Sequence, residues 1–142
     1  MRLNPRREME YCAQLAREYL EDAESSLREG NFRGCVQSSQ LATENAAKAV
    51  IAMGRAPSWG HDPSTELLEV ARELVAQHRA KATRLAELSS QLAPEHGRAT
   101  YGEPERFMTP RMLYDHGAAE KAIALAREAV EIMNQMIKLG DE

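Results

Sequence analysis

Apolar residues recur along this chain at steps of three and four, and no segment alternates in twos. That period predicts helices rather than strands. The first helix opens at Asn4–Pro5, a capping residue followed by proline at the first helical position. Met9, Cys12, Leu15, Ala16, Tyr19, Ala23 and Leu27 form its inward stripe, and Gly30 ends it. A second helix runs from about Phe32 to Met53. The connection is so short that it returns antiparallel beside the first. Its stripe of Cys35, Ser39, Ala42, Ala46, Ala49 and Met53 is made almost wholly of small side chains. Small side chains let helix backbones approach closely, so this face is expected to meet another long helix.

Residues 54–63 read as a loop punctuated by glycine and proline. A third helix, capped by Asp62 or Ser64, turns Leu67, Leu68, Ala71, Leu74 and Val75 inward. The stretch carrying Ala82, Leu85, Leu88 and Leu92 either continues it as one bent helix or forms a separate one, and a break near Ala80 is the favoured reading. Residues 94–109, with Pro94, Gly97, Gly102 and Pro104, read as a second loop. The last helix begins at Thr109–Pro110, carries Leu113, Ala119, Ile123, Ala126, Val130, Met133 and Ile137 on one side, and ends at Gly140. The pattern as a whole predicts a single all-α domain over residues 1–142, an up-and-down antiparallel bundle of about five helices.

Composition narrows this picture. A chain of 142 residues, 43% hydrophobic and 28% charged, is long enough to bury a core without disulfides or metal. Aromatics are only 5%, so the core is built from Leu, Ala, Ile, Val and Met. The net charge of −4 argues against a large basic nucleic-acid patch, although a local arginine-lined cleft is compatible with it. The basic start, Met1 to Arg7, has no apolar run behind it, and no 18-residue apolar stretch exists. A soluble cytoplasmic protein without a membrane span is therefore expected. In antiparallel helices Cys12 and Cys35 sit roughly 20 Å apart, too far for a disulfide, and both read as reduced core thiols.

The order of features in the middle of the chain resembles the HEPN (higher eukaryotes and prokaryotes nucleotide-binding) domain family. Glu29-Gly30-Asn31-Phe32 leads into Gln40-Leu41-Ala42-Thr43-Glu44-Asn45-Ala46-Ala47-Lys48-Ala49-Val50, a glycine turn, an aromatic, then an alanine-rich helix with Glu and Lys in register. His61-Asp62 precedes the leucine-rich Leu67-Leu68, with Pro63 where many members carry leucine. Arg98, Tyr101, Pro110 and Tyr114 fall where the family has an Arg-Tyr element, a proline loop and a tyrosine near the final helix; the family's Arg and Tyr are adjacent, whereas here two residues separate them. The resemblance spans about residues 10–137. It implies a homodimeric helical module that binds a nucleotide, RNA or a partner protein, such as a minimal nucleotidyltransferase in a toxin–antitoxin-like pair. Some members are metal-independent ribonucleases, and others act as scaffolds.

The ribonuclease branch carries arginine, four to six residues, then histidine near the start of the final helix. Arg111-Met112-Leu113-Tyr114-Asp115-His116 fits that spacing and that place. There His116 would move a proton and Arg111 would stabilise phosphate charge. The spacing discriminates little, because Arg55…His61 and Arg72…His78 match it too. On one continuous helix, five residues rotate by about 140°, which would point the pair apart. The competing reading makes Arg111 a solvated first-turn residue and His116 a surface or interface histidine. Whether the chain is an enzyme stays open at this level.

His61 and Asp62, as a histidine beside a carboxylate, and Arg98, Tyr101 and Tyr114, as a cation with two rings able to stack a base, are candidate ligand contacts. Trp59 either covers the bundle end or anchors a ligand or partner. Glu44 and Lys48 read as a helix-surface or interface pair. His78 and His96 show no metal-ligand spacing with other residues, so neither a metal site nor a cofactor is predicted.

Overall fold

The computed structural model describes residues 5–140. Four long helices carry the fold: α1 (Pro5–Arg28), α2 (Phe32–Ala52), α4 (Ala76–Leu92) and α7 (His116–Gly140). Three short ones, α3 (Ser64–Ala71), α5 (Glu95–Tyr101) and α6 (Pro110–Leu113), join them with a 3-10 turn at Pro104–Arg106. Among the described residues there is no strand, only an isolated antiparallel bridge between Glu103 and Met108. The expected cap at Asn4 lies outside the described residues.

Two core clusters define the topology. One joins Ala23 near the end of α1, Cys35 and Val36 at the start of α2, Leu92 at the end of α4 and Ala119 at the start of α7. The other joins Cys12 and Ala16, Ala46 to Ile51, Leu85 and Leu88, and Val130 to Met136. Helices α1 and α4 therefore run toward one end of the bundle, and α2 and α7 run away from it. The reversal between α1 and α2 is made by Gly30 at φ 76°, in the left-handed region that glycine enters without penalty. Asn31 starts α2 by accepting a hydrogen bond from the Gly34 amide at 2.9 Å.

Helix α2 is the axis of the molecule and touches all six other α-helices. Cys35, Ser39, Ala42, Ala46 and Ala49 are all fully buried, as their small size requires when neighbours crowd from every side. This stripe is used up inside the chain, so it does not supply a surface for a second copy. Burial pushes the Cys12 and Cys35 thiols above their ordinary range, and both are free. Polar contacts stitch the outside: Arg84 grips Glu128 through 2.6 and 2.9 Å bonds from α4 to α7, and Arg17 reaches Asn134 at 2.7 Å.

Several boundaries differ from the periodicity. The break placed near Ala80 falls at residues 72–75, because Val75 is exposed and extended and α4 begins at Ala76. Leu68, expected inside, is also exposed. Met53 extends past the stripe into solvent at the end of α2. Residues 94–109 are not one loop, since Pro94 initiates α5. Gly102 ends that helix at φ 72°, where a Cβ would lie 2.2 Å from the Met108 carbonyl oxygen. Only glycine lets residues 103–109 fold back so tightly. Trp59 does not cover the bundle end: it is 93% exposed.

Candidate functional site

The predicted final helix is interrupted. Thr109 and Pro110 do start a helical turn, but Tyr114 and Asp115 are non-helical, and α7 begins afresh at His116. Asp115 accepts the Ala118 amide at 2.8 Å and so caps α7. Arg111 and His116 thus stand on different helices, and the rotation that would separate them on one helix does not apply. Arg111 lines a cleft of about 480 Å³ with Glu29, Gly30, Asn31, Phe32, Arg33 and Tyr114. His116 meets the Phe32 ring edge-on with centroids 5.5 Å apart. Phe32, first residue of α2, therefore connects the arginine's cleft to the histidine. Glu120 sits 2.5 Å from His116 Nδ1, which leaves Nε2 as the nitrogen free for a further partner.

Behind this cleft Tyr114 is buried, and its hydroxyl donates to Glu95. Burial and the Glu95 carboxylate push the Tyr114 phenol well above its usual range. Arg98 lies 5.8 Å over the Tyr114 ring and bonds Glu95 at 2.6 Å and Glu103 at 3.1 Å. The structure brings Arg98 and Tyr114 together, yet the arginine's charge is already matched. Tyr101 is exposed and stands apart from this network. Arg111, by contrast, has no hydrogen bond or ion pair among the described residues.

A second constellation was not legible from spacing. Gln40, Glu44 and Lys48 are stacked one turn apart on α2, on a row distinct from the alanine stripe. Glu44 is not a surface residue; its side chain is 6% exposed and that of Lys48 13%. Lys48 Nζ donates to Glu44 Oε2 at 3.3 Å, and Gln40 Nε2 donates to Oε1 at 3.1 Å. From the loop before α3, His61 Nδ1 comes within 3.3 Å of the same Oε1. From α5, His96 Nδ1 lies 3.0 Å from Gln40 Oε1. The two imidazoles stack with centroids 3.8 Å apart and planes 18° from parallel. Asp62 does not join them; its carboxylate accepts the Ser64 amide at 3.1 Å and steadies the start of α3. The signal for this cluster in the chain was the polar row at every fourth position of an otherwise small and apolar helix.

The HEPN domain model matches residues 9–136. The chain belongs to the HEPN family. Among solved structures, TT1696 from Thermus thermophilus is similar to this HEPN chain with a TM-score of 0.67 and 21% identity, covering 89% of this chain and 96% of that one. No curated protein matches. The structural likeness shows the all-helical fold and leaves the chemistry to the residues themselves. Among the described residues no helix is long and apolar enough to cross a membrane.

Proposed function

We propose that this HEPN chain binds a nucleotide or a short stretch of RNA in the cleft between the α1–α2 turn and the α6–α7 junction. The observation that carries the reading is Arg111, an exposed guanidinium without a partner among the described residues in the wall of a cleft that also holds two aromatic rings. A phosphate is the natural partner for such a fork. The Phe32 and Tyr114 rings offer apolar surface to a base. Glu29 in the same cleft can accept from a ribose hydroxyl or a base amino group. Fluorescence anisotropy with labelled RNA or nucleotide checks this. Arg111→Ala is expected to weaken binding about tenfold, the value of one lost charge-assisted hydrogen bond. Equal binding by the two proteins would sink the reading.

A ribonuclease is the second reading, favoured by His116 on the far side of Phe32 with its Nδ1 held by Glu120. The free Nε2 can take a proton from a 2′-hydroxyl while Arg111 steadies the phosphate. The same RNA incubated in EDTA separates the two. Cleavage lost in His116→Ala, by about a hundredfold or more, supports the enzyme; equal cleavage by both proteins marks a contaminant and leaves the binding reading.

The chain also has solvent-facing Tyr101, Phe107 and Met112 between the end of α5 and α6. Phe107 is held at φ 54°, a costly conformation for an aromatic residue, while 90% exposed. Together with the family resemblance, this segment supports a homodimer that uses the face beside the cleft. Light scattering at micromolar concentration is expected to give twice the 15.9 kDa chain mass, and Phe107→Ser to shift it toward the monomer. A monomeric parent protein ends this part of the reading.

A further inference from the structure

We propose that Glu44, His61 and His96 form a binding site for one divalent transition-metal ion of borderline softness, Zn²⁺ being the best fit. Each residue offers one ligand atom, and these atoms all lie within 4.8 Å of one another. The site is separate from the Arg111 cleft and does not depend on the function proposed there. The donor set is one carboxylate oxygen and two imidazole nitrogens, the combination that suits zinc and its neighbours better than magnesium or calcium. Tetrahedral bonds of about 2.0–2.1 Å place neighbouring donors about 3.4 Å apart. Glu44 Oε1 and His61 Nδ1 are 3.3 Å apart, already the edge of such a tetrahedron.

The surroundings support this arrangement. Glu44 is a buried carboxylate whose oxygens are divided between two tasks. Lys48 takes Oε2 at 3.3 Å, which leaves Oε1 facing the histidines. Gln40 donates to Oε1 at 3.1 Å and so orients the carboxylate, the role an outer-shell partner plays in metal sites. Binding through Nδ1 requires each imidazole to carry its proton on Nε2 and the rings to turn from stacked to convergent. His61, on a loop between Gly60 and Pro63 with a side chain 62% exposed, has room to do so. His96 exchanges its bond to Gln40 for the ion. Three protein ligands leave a fourth position on the solvent side of His61. Because Lys48 already offsets the Glu44 charge, the ion keeps an uncompensated positive charge, which favours water or a small anion there.

Tag-free protein, stripped with chelator and dialysed, is titrated with Zn²⁺ by calorimetry and with Co²⁺ by visible absorption. The expected result is one ion per chain and a Co²⁺ spectrum of tetrahedral intensity. His61→Ala and His96→Ala should each weaken binding tenfold or more, while His78→Ala leaves it unchanged. His61 is exposed, so its variant keeps the helical circular dichroism of the parent and tests the site without a folding defect. No saturable binding overturns the proposal, and so does binding that His61→Ala leaves intact.

Discussion

Glu44→Ala is expected to lower the free energy of unfolding by about 3–5 kcal/mol, the cost of leaving a buried charge without its partner. The carboxylate accepts from Lys48 Nζ and Gln40 Nε2, and His61 Nδ1 lies 3.3 Å from its Oε1. Its removal strands an ammonium whose side chain is 13% exposed and an amide on a residue that is 2% exposed. The asymmetry is the test. Replacing both charges, as in Glu44→Leu with Lys48→Met, removes the stranded group together with its partner and should recover most of the loss. Urea unfolding of the parent, the single variant and the double variant measures the difference at constant slope. A loss below about 1 kcal/mol for Glu44→Ala would place the pair among solvated surface ion pairs, contrary to its burial.

Ala46→Leu should cost about 3 kcal/mol, near the upper end for overpacking a dense core. Ala46 is fully buried on the helix that every other α-helix touches. The added atoms can be accommodated only by moving a neighbouring helix, and such a movement also disturbs Ala42 and Ala49, which are equally buried. Ala124→Leu is the control, since Ala124 faces solvent on α7 and its change should stay within about 0.5 kcal/mol. Thermal or urea denaturation of the two variants decides the matter. Equal stability would mean that α2 does not have the close neighbours its small side chains imply.

The candidate sites were unequally legible. Arg111 and His116 were singled out by place alone, since two other pairs share their spacing, and a straight helix through both would have pointed them apart. The break at Tyr114 and Asp115 removes that objection, and its cause is tertiary as well as local: Tyr114 is drawn inward to Glu95 of α5 while Asp115 caps a new helix. Arg98 and Tyr114 were candidates for stacking a base, and the structure sets them beside each other, with Glu95, at i,i+3 spacing on the same helix, and Glu103 taking up the arginine's charge. His96 carried no recognisable ligand spacing because its partners are 52 and 35 positions earlier, at Glu44 and His61. Only packing of α5 against α2 brings them together. Trp59 shows the reverse case, an aromatic that composition alone would place against the core and that the structure leaves in water.

What the sequence determined by itself was the secondary structure and its order: the three-and-four period, the glycine at the first reversal and the alanine-rich second helix require a helical bundle. These are local properties, set by rotation per residue and by side-chain size, so they can be read without knowing the neighbours. Which faces of α2 meet which helices, where the long segments break, and which distant polar groups share a space were decided by tertiary packing. A helix surrounded on all sides cannot keep every residue in a single apolar stripe. Its polar row therefore had to find partners from elsewhere in the chain, and the loop before α3 and the start of α5 supply them.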